Sequence, residues 1–152
     1  MKFQVHTQTG GFTLTEVVLA LAIMTVVFGG IITASTQAER RAEWSGYSLA
    51  AEALANQQLE QARSAKWDVL DSPEVDEITN LPAVSVAQLD LPVSGSNYVW
   101  ATNYVTIRTI SVADNPPASV HLVKVDTVWP FTRGRQTVLF TNTVADYFAP
   151  DE

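Results

Sequence analysis

The chain has 152 residues, with 9 Lys and Arg against 16 Asp and Glu and a formal net charge of -7, which leaves room for one domain and an appendage. That charge argues against a general nucleic-acid binder, whose domains carry a basic stripe, and the lack of any cysteine removes disulfide scaffolds, zinc-thiolate sites, iron-sulfur clusters and thiol nucleophiles. His6 and His121 are the only histidines, so a Ser-His-Asp triad or a His-rich metal site has almost no material; no catalytic residue, metal or cofactor is expected, nor an enzyme.

The most informative stretch runs Gly10-Gly11-Phe12-Thr13-Leu14-Thr15-Glu16 and continues into Val17-Val18-Leu19-Ala20-Leu21-Ala22-Ile23-Met24. From Val17 to Ala38 there are 22 consecutive positions without a charged side chain. At about 1.5 Å per residue, a helix of that length covers a hydrocarbon core of about 30 Å. Glu16 stands at the edge of this run, where a carboxylate is retained only if it has a partner or a role. Cutting the Gly11-Phe12 bond would give Phe12 an α-amino group that is cationic at neutral pH, a partner for that acid.

After Glu39 the composition turns to charged and small residues, and Arg40 to Leu70 lacks proline, which predicts a continuing helix. Ala51, Ala55, Leu59 and Ala62, flanked by Tyr47 and Leu54, form its apolar stripe and need a sheet or a neighbouring subunit as cover. Asp71 to Pro82 reads as an acidic loop in which Asp68, Asp71, Glu74, Asp76 and Glu77 are expected to be solvated surface charge; their spacing matches no EF-hand.

Strand-like runs follow at Tyr98 to Val112, Ser119 to Trp129 and Gln136 to Ala145, with a shorter one at Ala83 to Leu91. Asp114 to Pro117 and Pro130 to Gly134 supply the turns, and short connections predict an antiparallel meander. In the second long run His121, Val123, Val125, Thr127 and Trp129 share a face opposite Lys124 and Asp126. His121 is expected to be packed or hydrogen-bonded at a strand start. Arg108, Lys124, Arg133 and Arg135, with Trp129 and Phe131 near the last pair, offer at most a local DNA contact, and no nucleic-acid partner is expected at this net charge.

The segment from Gly11 to Met24 resembles the N-terminus of the type IV pilin and type II secretion pseudopilin superfamily: Gly, then Phe or Met, three residues, Glu, and an apolar helix. The resemblance implies a prepilin leader at 1–11, cut by prepilin peptidase between Gly11 and Phe12, with N-methylation of Phe12. It implies a subunit-assembly role for Glu16, paired with the amine of a neighbouring subunit. The implied fold is α+β and pilin-like: a transmembrane half of the helix at 12–38, an amphipathic half outside the membrane at 39–70, and an acidic loop with an antiparallel sheet at 71–152. The implied setting is the bacterial inner membrane, crossed once, with the C-terminal domain on the periplasmic side. The partners would be other pilin or pseudopilin subunits and the inner-membrane assembly platform. Thr33 stands where many major pilins carry a helix proline, with Gly29 and Gly30 close by, and no cysteine pair closes a C-terminal loop. These departures favour a minor pilin or pseudopilin, loosely similar to members of the I and V type.

Two readings compete with this one. Ile32-Thr33-Ala34 has the small-residue pattern of a secretory signal-peptide site, which would start the mature chain near Ser35, although only Lys2 supplies a fixed positive charge upstream. The other is a secreted or membrane-anchored β-rich binding module that never polymerises.

Overall fold

The structure, a computed structural model, describes residues 11–89, 98–113 and 118–150. It divides into two compact units, Met1–Ala42 and Glu43–Glu152. One long helix, α1 (Leu14–Ser64), supplies the described helical residues of the first unit and the opening segment of the second.

In the first unit every described residue is exposed, including Leu21, Ile23, Met24 and Phe28. A helix that is apolar on all sides belongs in a protein core or a membrane, and none of this one is buried in the protein. It is long and apolar enough to cross a bilayer. Two of its hydroxyls bond back within the helix: Thr25 donates to the Leu21 carbonyl at 2.8 Å and Thr33 to the Gly29 carbonyl at 2.7 Å.

The second unit is a small antiparallel sheet with a helix on one face. Strands β1 (Trp67–Asp68) and β2 (Val75–Asp76) pair with each other, followed by a short 3-10 helix at Ile78–Asn80. Strands β3 (Val84–Gln88), β4 (Trp100–Val112), β5 (Ala118–Arg133) and β6 (Gln136–Phe148) form a four-stranded meander in chain order. This is the α+β layout the sequence predicts, a long N-terminal helix on a small antiparallel sheet.

Packing follows the predicted faces. Tyr47, Ala51, Ala55, Leu59 and Ala62 are the buried residues of α1, and His121, Val123, Val125, Thr127 and Trp129 are all buried on β5. Ala51, Ala55 and Ala62 are wholly inaccessible, so small side chains let the helix close onto the sheet. Ala55, Leu59 and Ala62 pack with Val123 and Val125, while Tyr47 and Ala51 pack with Trp129 and Phe131. Polar groups under the helix are paired except Gln58 Oε1, which has no partner among the described residues. Thr127 donates to Asn103 Oδ1 at 2.7 Å, and Trp129 Nε1 donates to Asn142 Oδ1 at 2.8 Å. Asn142 Nδ2 in turn donates to Ser48 Oγ at 3.1 Å, tying β6 to α1.

Three boundaries differ from expectation. The helix ends at Ser64 rather than near Leu70, because Lys66 donates its N–H to Glu77 Oε2 and its carbonyl accepts the Glu77 N–H at 2.9 Å. Those bonds start the β1–β2 pair, and Trp67 is buried there instead of lying on a helix. The acidic loop is therefore a structured hairpin and 3-10 turn. Further on, β5 runs through Pro130 to Arg133, and only Gly134 and Arg135 make the turn. Pro130 lies beyond the last β4 pair, Thr102↔Val128, where β5 is paired with β6 alone. Gly134 has φ 67°, the left-handed conformation a two-residue hairpin needs.

Trp129 is fully buried, 5.2 Å from Phe140 and 5.8 Å from Tyr47 between ring centroids. Trp129→Ala is expected to destabilise the second unit by about 3–5 kcal/mol, read as a lower urea midpoint of the full chain in detergent; a loss under about 1 kcal/mol would contradict this packing.

Candidate functional site

The N-terminal segment places the three residues singled out by the sequence around the start of α1. Gly11 and Phe12 precede the helix and are exposed, Phe12 at 87%, so the peptide bond between them is open to solvent. Glu16 lies in the first turn. The Thr13 N–H and hydroxyl both donate to Glu16 Oε2 at 2.9 Å, while the Glu16 N–H donates back to Thr13 Oγ1 at 3.3 Å. This reciprocal arrangement is a capping box, which satisfies helix-start donors that would otherwise be unpaired.

Thr13 is a residue that the sequence reading passed over. The Thr-x-x-Glu spacing was the available signal, and the membrane-edge acid overshadowed it. The structure also corrects the view that uncleaved Glu16 lacks a partner, since Thr13 holds one of its oxygens. No cation pairs with it among the described residues, so its charge remains uncompensated there.

Farther along the first unit, a Cβ at Gly29 or Gly30 would meet no atom of the chain within 4 Å. Nothing in the described fold requires glycine there, whereas a close neighbouring helix would.

In the second unit, His121 is buried and has companions that the sequence did not reveal. Its ring stacks on Trp67 with centroids 4.0 Å apart, its Nδ1 lies 3.1 Å from Thr109 Oγ1, and its Nε2 lies 3.0 Å from Asp76 Oδ2. Both ring nitrogens are engaged, and the contact fastens the β1–β2 hairpin to β5.

The acids of this region lie at the surface, as expected, and several also make local contacts. Asp68 Oδ1 accepts the Leu70 and Asp71 N–H groups, Asp71 pairs with Lys66 at 2.7 Å, and Asp76 Oδ1 accepts the Thr79 N–H. Among the described residues, no group of three or more His, Asp or Glu is placed to hold a metal.

The basic residues considered for DNA are dispersed. Lys124 pairs with Asp126 at 2.7 Å, Arg133 precedes the β5–β6 turn and Arg135 lies in it, and Trp129 and Phe131 are buried. Family models, curated proteins and solved structures give no match to the chain.

The carboxylates of the second unit link its stability to pH. The Lys124 amine and the Thr143 hydroxyl hold Asp126 below the usual carboxylate range. The Leu70 N–H and then Lys66 do so for Asp68, and the Tyr147 N–H and then Arg63 for Asp146. Unfolded, these groups titrate near about pH 3.9. Their stabilisation is therefore complete above that value and is lost as pH falls through the lower folded values. The thermal midpoint is expected to stay level from about pH 7 to 5 and to drop below about pH 4; a midpoint that holds or rises at acid pH would contradict these contacts.

Proposed function

We propose that the chain is a minor pilin or pseudopilin subunit, assembled into a type IV pilus or type II secretion pseudopilus after prepilin peptidase cuts between Gly11 and Phe12. The observation that carries this reading is the start of α1: an exposed Gly11-Phe12 junction, a capped first turn bearing Glu16, and then a helix apolar on all sides. An enzyme acting on the chain can reach the junction without unwinding the helix. Ile32-Thr33-Ala34, by contrast, lies inside the continuous helix, which does not favour a signal-peptidase cut before Ser35.

Cleavage leaves Phe12 with an ammonium group four residues before Glu16, and N-methylation keeps that charge. Thr13 presents the carboxylate at a fixed place in the first turn. A carboxylate at the edge of an apolar bundle is costly unless a cation meets it, so pairing with the Phe12 amine of a neighbouring subunit sets the axial register between helices. Gly29 and Gly30 let adjacent helices approach. The chain would wait in the bacterial inner membrane with its C-terminal domain on the periplasmic side, then pass from lipid to filament through the assembly platform. Residues such as Leu21 would exchange lipid contact for contact with neighbouring helices.

Glu16→Ala and Glu16→Gln are expected to leave the protein in the membrane fraction but to abolish its recovery in sheared filaments or cross-linked assemblies. Thr13→Ala, which leaves the charge and removes the cap, is expected to reduce recovery only partly. Normal incorporation of both Glu16 variants would overturn the assembly role and favour a membrane-anchored binding module that does not polymerise.

A further inference from the structure

We propose that the end of the second unit at which α1 enters it docks on the anionic lipid headgroups of the bilayer that anchors the chain, through Arg133 and Arg135 and the apolar side chains around them. The inference rests on the anchoring reading above. The tether is short, because Glu43, where the second unit begins, follows the uncharged run ending at Ala38 by five residues. The headgroup layer outside the hydrocarbon is about 5–7 Å deep.

Contacts within the second unit fix which end of the sheet this is. Ala55, Leu59 and Ala62 lie over Val123 and Val125, whereas Tyr47 and Ala51 lie over Trp129 and Phe131, so β5 runs antiparallel to the helix. The β5–β6 turn thus lies at the end where α1 enters. Arg133 and Arg135 are exposed on either side of Gly134, and neither forms an ion pair with a described acid. Around them Tyr98 is 62% exposed, Trp100 57% and Leu139 68%. Tyr98 and Trp100 line an open cleft of about 450 Å³ with Pro130, Thr137 and the acid Glu43, beside the turn.

Charge complementarity selects the occupant. Asp68, Asp71, Glu74, Asp76 and Glu77 all follow the C-terminal end of α1, and Asp76 meets His121 near the start of β5, at the other end of the sheet. The unit is therefore polarised: Arg133 and Arg135 outnumber Glu43 at the entry end, whereas these five acids outnumber Arg63, Lys66 and Arg108 at the far end. An anionic surface attracts the former and repels the latter. Exposed Trp and Tyr beside Arg make up the composition that settles at the headgroup level.

The native chain has no cysteine, so single nitroxide labels can be placed on the full-length protein in vesicles of phosphatidylcholine with or without phosphatidylglycerol. A label at Leu139→Cys is expected to be several-fold less accessible to an aqueous nickel relaxant than one at Thr106→Cys, toward the other end of the same strands, and only when phosphatidylglycerol is present. Adding Arg133→Gln and Arg135→Gln should bring the Leu139 label to the Thr106 level. A third label, Val26→Cys, separates the two claims. If it lies in lipid while the Leu139 label stays as water-accessible as the Thr106 label in anionic vesicles, the docking surface is overturned and the anchor stands. If the Val26 label is itself water-accessible, the anchoring reading falls and the proposal with it.

Discussion

A helix that is apolar on every side cannot be satisfied by the chain that carries it. In the first unit, Val17 to Ala38 has no polar face to turn outward, and all of its described side chains are exposed. This segment is long and apolar enough to cross a membrane. The capped start, the internally satisfied threonines and the unfilled space at Gly29 and Gly30 suit both lipid and a bundle of helices. A subunit that moves from membrane to filament needs that dual fitness, because the backbone must remain fully hydrogen-bonded in each.

The second unit meets the opposite requirement. Its part of α1 has one buried stripe, and the sheet offers one apolar face to it, so helix and sheet bury each other. Two aids hold the closure in place. At the entry end Trp129 and Asn142 link the aromatic cluster to Ser48 of the helix. At the other end His121 and Trp67 fasten the β1–β2 hairpin that follows the helix. The two units differ physically: the described side chains of one are all exposed, whereas the other buries a helix stripe against a sheet.

The periodic features could be read before any coordinates. The stripe Ala51, Ala55, Leu59, Ala62 and the alternation from His121 to Trp129 report directly which faces are buried, because each period is a geometric property of the backbone. The end of α1 could not be read this way. Ala65 to Leu70 contains no glycine or proline, and the helix stops because Lys66 and Trp67 gain strand partners at Asp76 and Glu77, a long-range competition that local propensity does not register. Pro130 misled for a similar reason, since its tolerance in β5 depends on where β4 stops. At the candidate site, Gly11, Phe12 and Glu16 were singled out by a family resemblance, and the structure places them around the start of α1. The Thr13 cap was legible too, but competed with a more conspicuous acid. The surroundings of His121 were not, because Thr109 and Asp76 reach it from other elements.

The central claim is that the Gly11-Phe12 junction is a processing site and that α1 remains on the mature protein. Mass spectrometry of the intact protein and its N-terminal peptide, taken from native membranes, tests this most directly. The account predicts a mature chain beginning at Phe12 with one methyl group on its α-amino nitrogen. A chain beginning near Ser35, or one retaining its first eleven residues in assembled material, would contradict it.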